Sequence, residues 1–286
     1  MARQRTIVGL GEALLLEYPD RTEPAGLGAL VALQAARLGH VGIAITRIGQ
    51  DDAAEELIRL LDEGGATTTH IQRDPDLPTG RVIERPIGGR VARYLDTQTS
   101  FDNLQADFDL EDVAQQADAV VYGMLTRRGG QTRSEENRFL AACGAAIKLF
   151  DLTNRVEAPN RGQAMSGLEH ADAAVVDQVA IESITPGWGE APMRDAALHL
   201  LREADLSLLL TVEQREAQAA LTAHTAEKET STTVPVARGP LLASLVGFLH
   251  VLLAGRQVES ALELAHRVGD HVATRGDEPI PEAWRE

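Results

Sequence analysis

Short apolar runs alternate along this chain with longer segments in which apolar residues recur every three or four positions. RTIVGLGEALLLE opens with a β-branched run ending in glycines, the pattern of a buried first strand that turns at Gly9 to Gly11. AGLGALVALQAARLG, from Ala25 to Gly39, has helical periodicity closed by a glycine, and VGIAITRIG reads as the strand after it. In GQDDAAEELIRLLDEGG, Asp51 and Asp52 cap a helix that Gly64 and Gly65 end. IERPIG and RVARYLD alternate as two strands hinged at Gly88 and Gly89. ADAVVYGML and AIKLFDLTNR are further strands, with a helix from Ser134 to Gly144 between them, and ADAAVVDQVA is another. A helix from Met193 to Glu203 precedes the strand LSLLLTVEQREAQAAL. In VPVARGPLLASLVGFLH, the turn Ala237-Arg238-Gly239 runs through Pro240 into an apolar helix. Gln257 to Thr274 forms a last amphipathic helix, and the tail RGDEPIPEAWRE, without periodicity, is expected on the surface. The alternation predicts an α/β fold: a mainly parallel central sheet with helices on both faces, as a single domain over 1–286.

Composition narrows the partners. With 286 residues and 44% hydrophobic side chains the chain can bury a substantial core. A net charge of -16 repels nucleic acid and anionic membrane surfaces, so neither is expected as a partner. Cys143 is the single cysteine; it cannot form an internal disulfide, and its apolar setting, FLAACGAAIKLF, predicts a buried thiol. Neither a signal peptide nor an apolar run long enough to span a bilayer is visible, which points to the cytoplasm. Trp188 reads as a packing residue, and His266 and His271 as surface or hydrogen-bonded core.

The helix start near Gly239 carries the chemical signal. Free N–H groups and the positive end of the dipole make such a terminus a natural anion site. Its sequence and placement resemble the signature of the ribokinase (PfkB) family of carbohydrate kinases, and the resemblance runs from Ile7 to about Pro279. That family reads Asp-Thr-x-Gly-Ala-Gly-Asp here, with an anion hole of glycine and alanine amides and a final Asp as catalytic base. Aligned through Gly247, the motif falls on Val236 to Leu242: Gly239 keeps the first glycine, Pro240 and Leu241 follow, and Leu242 stands in the place of the base. Gly11-Glu12 resembles the family's opening, with Leu16 where an Asp grips sugar hydroxyls. Ala25, Gly26 and Leu30 fall where the family has a glycine pair and a substrate-holding Asn. Pro78-Thr79-Gly80 resembles the start of the lid strands; the lid is expected from segments about 17–24 and 79–96. Phe150-Asp151 with Asn154-Arg155 resembles Phe-Asp-Pro-Asn-x-Arg, although an Asp at that point also serves to cap the next turn. Asp177 and Ala180 occupy the ends of the family's magnesium-organising Asn-x-x-Glu, while Glu213 and Glu216 replace two nucleotide-facing glycines after Thr211.

Open parallel sheets hold ligands at the carboxyl ends of their strands. With the resemblance, that rule places Gly11, Gly26, Asp51, Asp151 and Arg155 on the substrate side of a cleft beneath the lid, and Gly239 on the cofactor side. The family's cofactors are ATP and magnesium; the replaced residues speak against both here. A sugar-like small molecule is the expected ligand, and a homodimer the expected assembly. Two functions follow: a binding or regulatory pseudokinase, or an active ATP-dependent sugar kinase with non-standard site residues.

Overall fold

A computed structural model describes residues 3–18, 20–87, 90–95, 98–106, 109–153, 158–188, 191–215, 218–276 and 278–285. The chain begins β1 (Thr6–Leu10), β2 (Leu14–Glu17), β3 (Thr22–Ala25), α1 (Leu27–Arg37), β4 (Val41–Ile48), α2 (Asp52–Glu63) and β5 (Ile71–Arg73). It continues through β6 (Gly80–Ile87), β7 (Arg90–Leu95), α3 (Asp109–Gln116), β8 (Ala119–Gly123), α4 (Gly130–Ala142), β9 (Ile147–Asp151), α5 (Arg161–Leu168), β10 (Ala173–Asp177) and α6 (Gln178–Ile184). The last elements are α7 (Met193–Glu203), β11 (Leu208–Arg215), β12 (Gln218–His224), β13 (Glu229–Pro235), α8 (Arg238–Leu253) and α9 (Val258–Arg275).

Among the described residues, nine strands form the main sheet in the order β13-β12-β11-β10-β9-β8-β1-β4-β5. Pairings from β11 across to β5 are parallel, and β12 and β13 add an antiparallel edge. The chain winds outward from β1 in one direction to β4 and β5, then in the other from β8 to β11, so the strand order reverses between β1 and β8. A ligand crevice is expected at the carboxyl ends of the strands around such a reversal. A second sheet, β3-β2-β6-β7, lies over that end; it joins β2 to β6 in parallel and the outer pairs antiparallel. Its first strand starts at Leu14, earlier than the expected lid, and its turn at Gly88-Gly89 lies outside the described residues.

Alternating strand residues serve two cores. Val8 and Leu10 face the layer of α3 to α7, while Ile7 faces α1, α8 and α9. Cys143 is buried at the end of α4, and burial pushes its thiol up to about 12, leaving it a packing residue. Some element boundaries differ from the sequence reading. The helix α4 runs from Gly130 to Ala142 rather than from Ser134 to Gly144. The long run after Leu206 is a hairpin: β11 and β12 pair antiparallel from Leu209 opposite His224 to Arg215 opposite Gln218, and its turn lies outside the described residues.

At the opposite end of the sheet, His40 and His250 tie the start of β4 to the end of α8. His40 Nδ1 accepts from the Arg5 amide at 3.3 Å, and the two rings share a hydrogen bond between His40 Nε2 and His250 Nδ1 at 2.8 Å. Burial, and then the adjacent His250, hold the His40 imidazole at about 4, below its ordinary 6.5. The folded protein therefore excludes a proton that the unfolded chain takes up near pH 6.5, so stability is intact above that pH and declines as the pH falls toward 4. Urea unfolding across that window is expected to lose about 3 kcal/mol, and His40→Gln to flatten the slope.

Candidate functional site

The amino-terminal turn of α1 is built by a carboxylate and a glycine. Glu12 is fully buried; its Oε1 accepts from the Leu27 amide at 2.7 Å, and its main-chain oxygen accepts from the Gly28 amide at 2.9 Å. A negative group at a helix start also complements the dipole. Gly26 has φ 88°, and a Cβ there would meet the Glu12 carbonyl oxygen at 2.5 Å, so only glycine closes this turn.

Above this turn the lid sheet, α1 and the first turn of α8 enclose a cleft of about 680 Å³. From α1 it takes a stripe at helical spacing: Leu30, Leu33, Gln34 and Arg37, below Gly26. Leu16 and Val82 face it from the lid, Gly239, Pro240 and Leu241 from α8, and Thr153 and Asp177 from the strand ends. Leu16 and Leu30, the two positions where the family resemblance implies sugar-gripping polar groups, thus present hydrocarbon to the cleft.

Of the residues expected at a site, Gly26 and Gly239 line this cleft. Gly11 is buried behind it, with the Thr126 hydroxyl 3.5 Å from where its Cβ would lie. Thr126 donates in turn to Glu136, whose other oxygen faces Arg127 at 3.2 Å, so a buried ion pair fills the space beside the strand reversal. Asp51 caps α2 through the Ala54 amide at 2.9 Å and also accepts from the amide and hydroxyl of Thr79, at 2.9 and 2.7 Å. Burial alone would raise the Asp51 carboxyl; the Thr79 and Ala54 hydrogen bonds outweigh it and hold it below its ordinary value. Its work in this structure is to pin the start of β6 to α2. Asp151 is fully buried and accepts from the amide and hydroxyl of Thr153 at 2.8 and 2.6 Å, the turn-capping arrangement. Arg155, like Asn154 and Glu216, lies outside the described residues. Gln34, Tyr18 and Glu23 line the cleft without having been singled out from sequence. The helical stripe below Gly26 is the signal that points to Gln34.

The start of α8 differs from the expected turn. The helix begins at Arg238 after the cap residue Ala237, which puts Pro240 third rather than first. The Leu241 amide already bonds to the Ala237 carbonyl at 2.9 Å and Pro240 has no N–H, so the first turn offers the amides of Arg238 and Gly239. Leu242 turns away from the cleft into the core between the sheet and α9, with no exposed surface. The residues at the magnesium and nucleotide positions do not fit those groups. Ala180 is fully buried and offers no ligand atom, and Asp177 caps α6 through the Ala180 amide at 2.9 Å. Thr211 is buried and paired with His224 Nε2 at 3.0 Å, and Glu213 sits within the β11–β12 ladder opposite Ala220. Among the described residues no group of three or more His, Cys, Asp or Glu side chains is placed to hold a metal ion, and no helix is long and apolar enough to cross a membrane.

The fold has close counterparts. A fructokinase from Xylella fastidiosa solved with bound ATP superposes with a TM-score of 0.82 at 18% identity, covering 99% of this chain and 97% of that one. The 2-dehydro-3-deoxygluconokinase of Thermotoga maritima gives 0.80 at 14% identity, covering 100% and 97%. A fructokinase from Vibrio cholerae O395 in its apo form gives 0.78 at 17%, covering 96% and 99%. The chain has the ribokinase-like fold of these PfkB-family sugar kinases. No family model and no curated protein matches the sequence.

Burial of Leu242 makes a simple restoration costly. Leu242→Asp would place a carboxylate in a closed apolar core, so it is expected to lose about 3 kcal/mol or more of stability and to gain no phosphoryl transfer. The urea midpoint and an ADP-release assay on the same protein check the two halves.

Proposed function

We propose that this chain is a non-catalytic relative of the PfkB carbohydrate kinases, a pseudokinase that binds a small molecule in the cleft beneath its lid and acts in binding or regulation. The observation that carries this reading is the placement of Leu242. The position that the family resemblance gives to the catalytic base holds a side chain without a proton acceptor, and it faces the core instead of the cleft. A positioned base contributes about 10²- to 10⁴-fold, and each charge-stabilising donor about 10²- to 10³-fold. Pro240 removes one such donor from the first turn of α8, and the carboxylate of Glu213 replaces bare backbone on the nucleotide side. On the acceptor side, Leu16 and Leu30 line the cleft where hydroxyl-binding groups are expected. A pocket that lacks the partner of a hydroxyl discriminates poorly for it. Losses on both sides of the cleft fit a retained scaffold better than a kinase that has merely changed its sugar.

The competing reading, a working ATP-dependent sugar kinase with a base supplied from elsewhere, is decided by turnover. Purified protein with ATP, magnesium and a panel of sugars is expected to release no ADP above background. A rate near 1 per second, within the usual enzyme range of about 1 to 10³ s⁻¹, overturns the pseudokinase reading.

A further inference from the structure

The ligand class follows from which lining groups of the cleft the chain has already engaged. Glu12 accepts from the Leu27 amide, Asp177 from the Ala180 amide and Glu23 from Arg21, while Thr153 donates to Asp151. Arg37 is engaged within the chain as well. The hydrocarbon beside them is open. Leu16 is half-buried, and among the described residues it packs into none of the apolar cores. It stands opposite Val82 in the β2–β6 pairing, so the two side chains share the face of the lid that covers the cleft. Leu30 of α1 and Val272 of α9 line the same cleft and are half-buried too. Elsewhere such groups are hidden: among the described residues, Val179 is the large hydrophobic side chain left exposed. Apolar surface that faces an enclosed space is stabilised when a ligand removes it from water.

The size of the space selects the kind of occupant. At about 680 Å³ the cleft falls within the range of about 300–1,000 Å³ typical of small-molecule sites. One turn of helix, about 10 Å across and 5.4 Å long, fills roughly 400 Å³, so a docked protein segment would find room for fewer than about two turns. We infer that the cleft takes a neutral small molecule with a hydrocarbon body, packed between Leu16 and Val82 of the lid and Leu30 and Val272 of the helices. Neutrality follows because the charged groups named above already have partners within the chain. This rests on the reading of the cleft as a binding site and adds the class of molecule bound.

A series of straight-chain alcohols, 1-butanol, 1-hexanol and 1-octanol, tests the hydrocarbon contribution by calorimetry on the full chain. Affinity is expected to rise about fourfold with each added methylene, the worth of burying one such group. Sorbitol, with the carbon number of 1-hexanol and a hydroxyl on every carbon, is expected not to bind, and octanoate and octylammonium to bind more weakly than 1-octanol. Val82→Thr keeps the shape of the lid face but sets a hydroxyl against the ligand, and is expected to weaken 1-octanol at least about fivefold. Leu16→Asn, at a side chain outside the cores, is expected to weaken it about tenfold. Should either variant fail to fold, the other and the wild-type series still decide. Affinity independent of chain length, tighter binding of either charged probe, unchanged 1-octanol affinity in the variants, or binding of none of the alcohols overturns the inference. A parallel titration with neutral sugars keeps the two readings apart. Sugar binding without alcohol binding defeats the apolar assignment and leaves a binding pseudokinase, whereas ADP release in the kinase assay defeats the pseudokinase reading itself.

Discussion

The close contact between β1 and the start of α1 sets the geometry on which the rest of this molecule depends. A Cβ on Gly9 would lie 2.3 Å from the Gly28 carbonyl oxygen, so strand and helix touch backbone to backbone. Glu12 fixes the joint by accepting from the Leu27 amide. Held this close, α1 lies with one stripe along the cleft and its other faces in the two cores shared with α8 and α2. The lid inherits its position from the same joint, because β2 and β3 occupy the short chain between Glu12 and Gly26. Asp51 supplies the second anchor by tying Thr79, just before β6, to the cap of α2.

That arrangement explains how a cleft can outlast the chemistry that such folds house elsewhere. The cleft depends on backbone approach and on the lid, whereas phosphoryl transfer depends on a few side chains and free amides at exact positions. On the pseudokinase reading proposed above, the position that the resemblance gives to the catalytic base has been absorbed into the scaffold. Leu242 packs into the core, Thr211 bonds across a hairpin to His224, and Thr126 with the Glu136–Arg127 pair fills the space beside Gly11. On that reading Leu242 exchanges reactivity for packing.

The architecture was legible in the sequence because the apolar periods of strand and helix are long and glycines mark the turns, as at Gly11, Gly39 and Gly64. The β11–β12 hairpin was less so, since Leu206 to Leu221 has no glycine or proline to mark a turn. Within the candidate site, the turn at Gly26 demands glycine, whereas Gly239, where a Cβ would meet nothing within 4 Å, could be placed only through the family resemblance. Asp51 and Asp151 could be read as caps or as ligand groups, and only the bonds to Thr79 and Thr153 reveal where their oxygens point. The burial of Leu242 and the unmet oxygen of Gln34 depend on how α1 and α8 rotate against the sheet, which local sequence does not specify.

The central claim is that the donor half of the site has been dismantled while the cleft remains. Calorimetric titration of the full chain with magnesium-ATP tests it most directly. The account predicts no saturable heat across about 1 μM to 1 mM, the range in which enzymes hold their substrates. A saturable isotherm with a dissociation constant inside that range would contradict it.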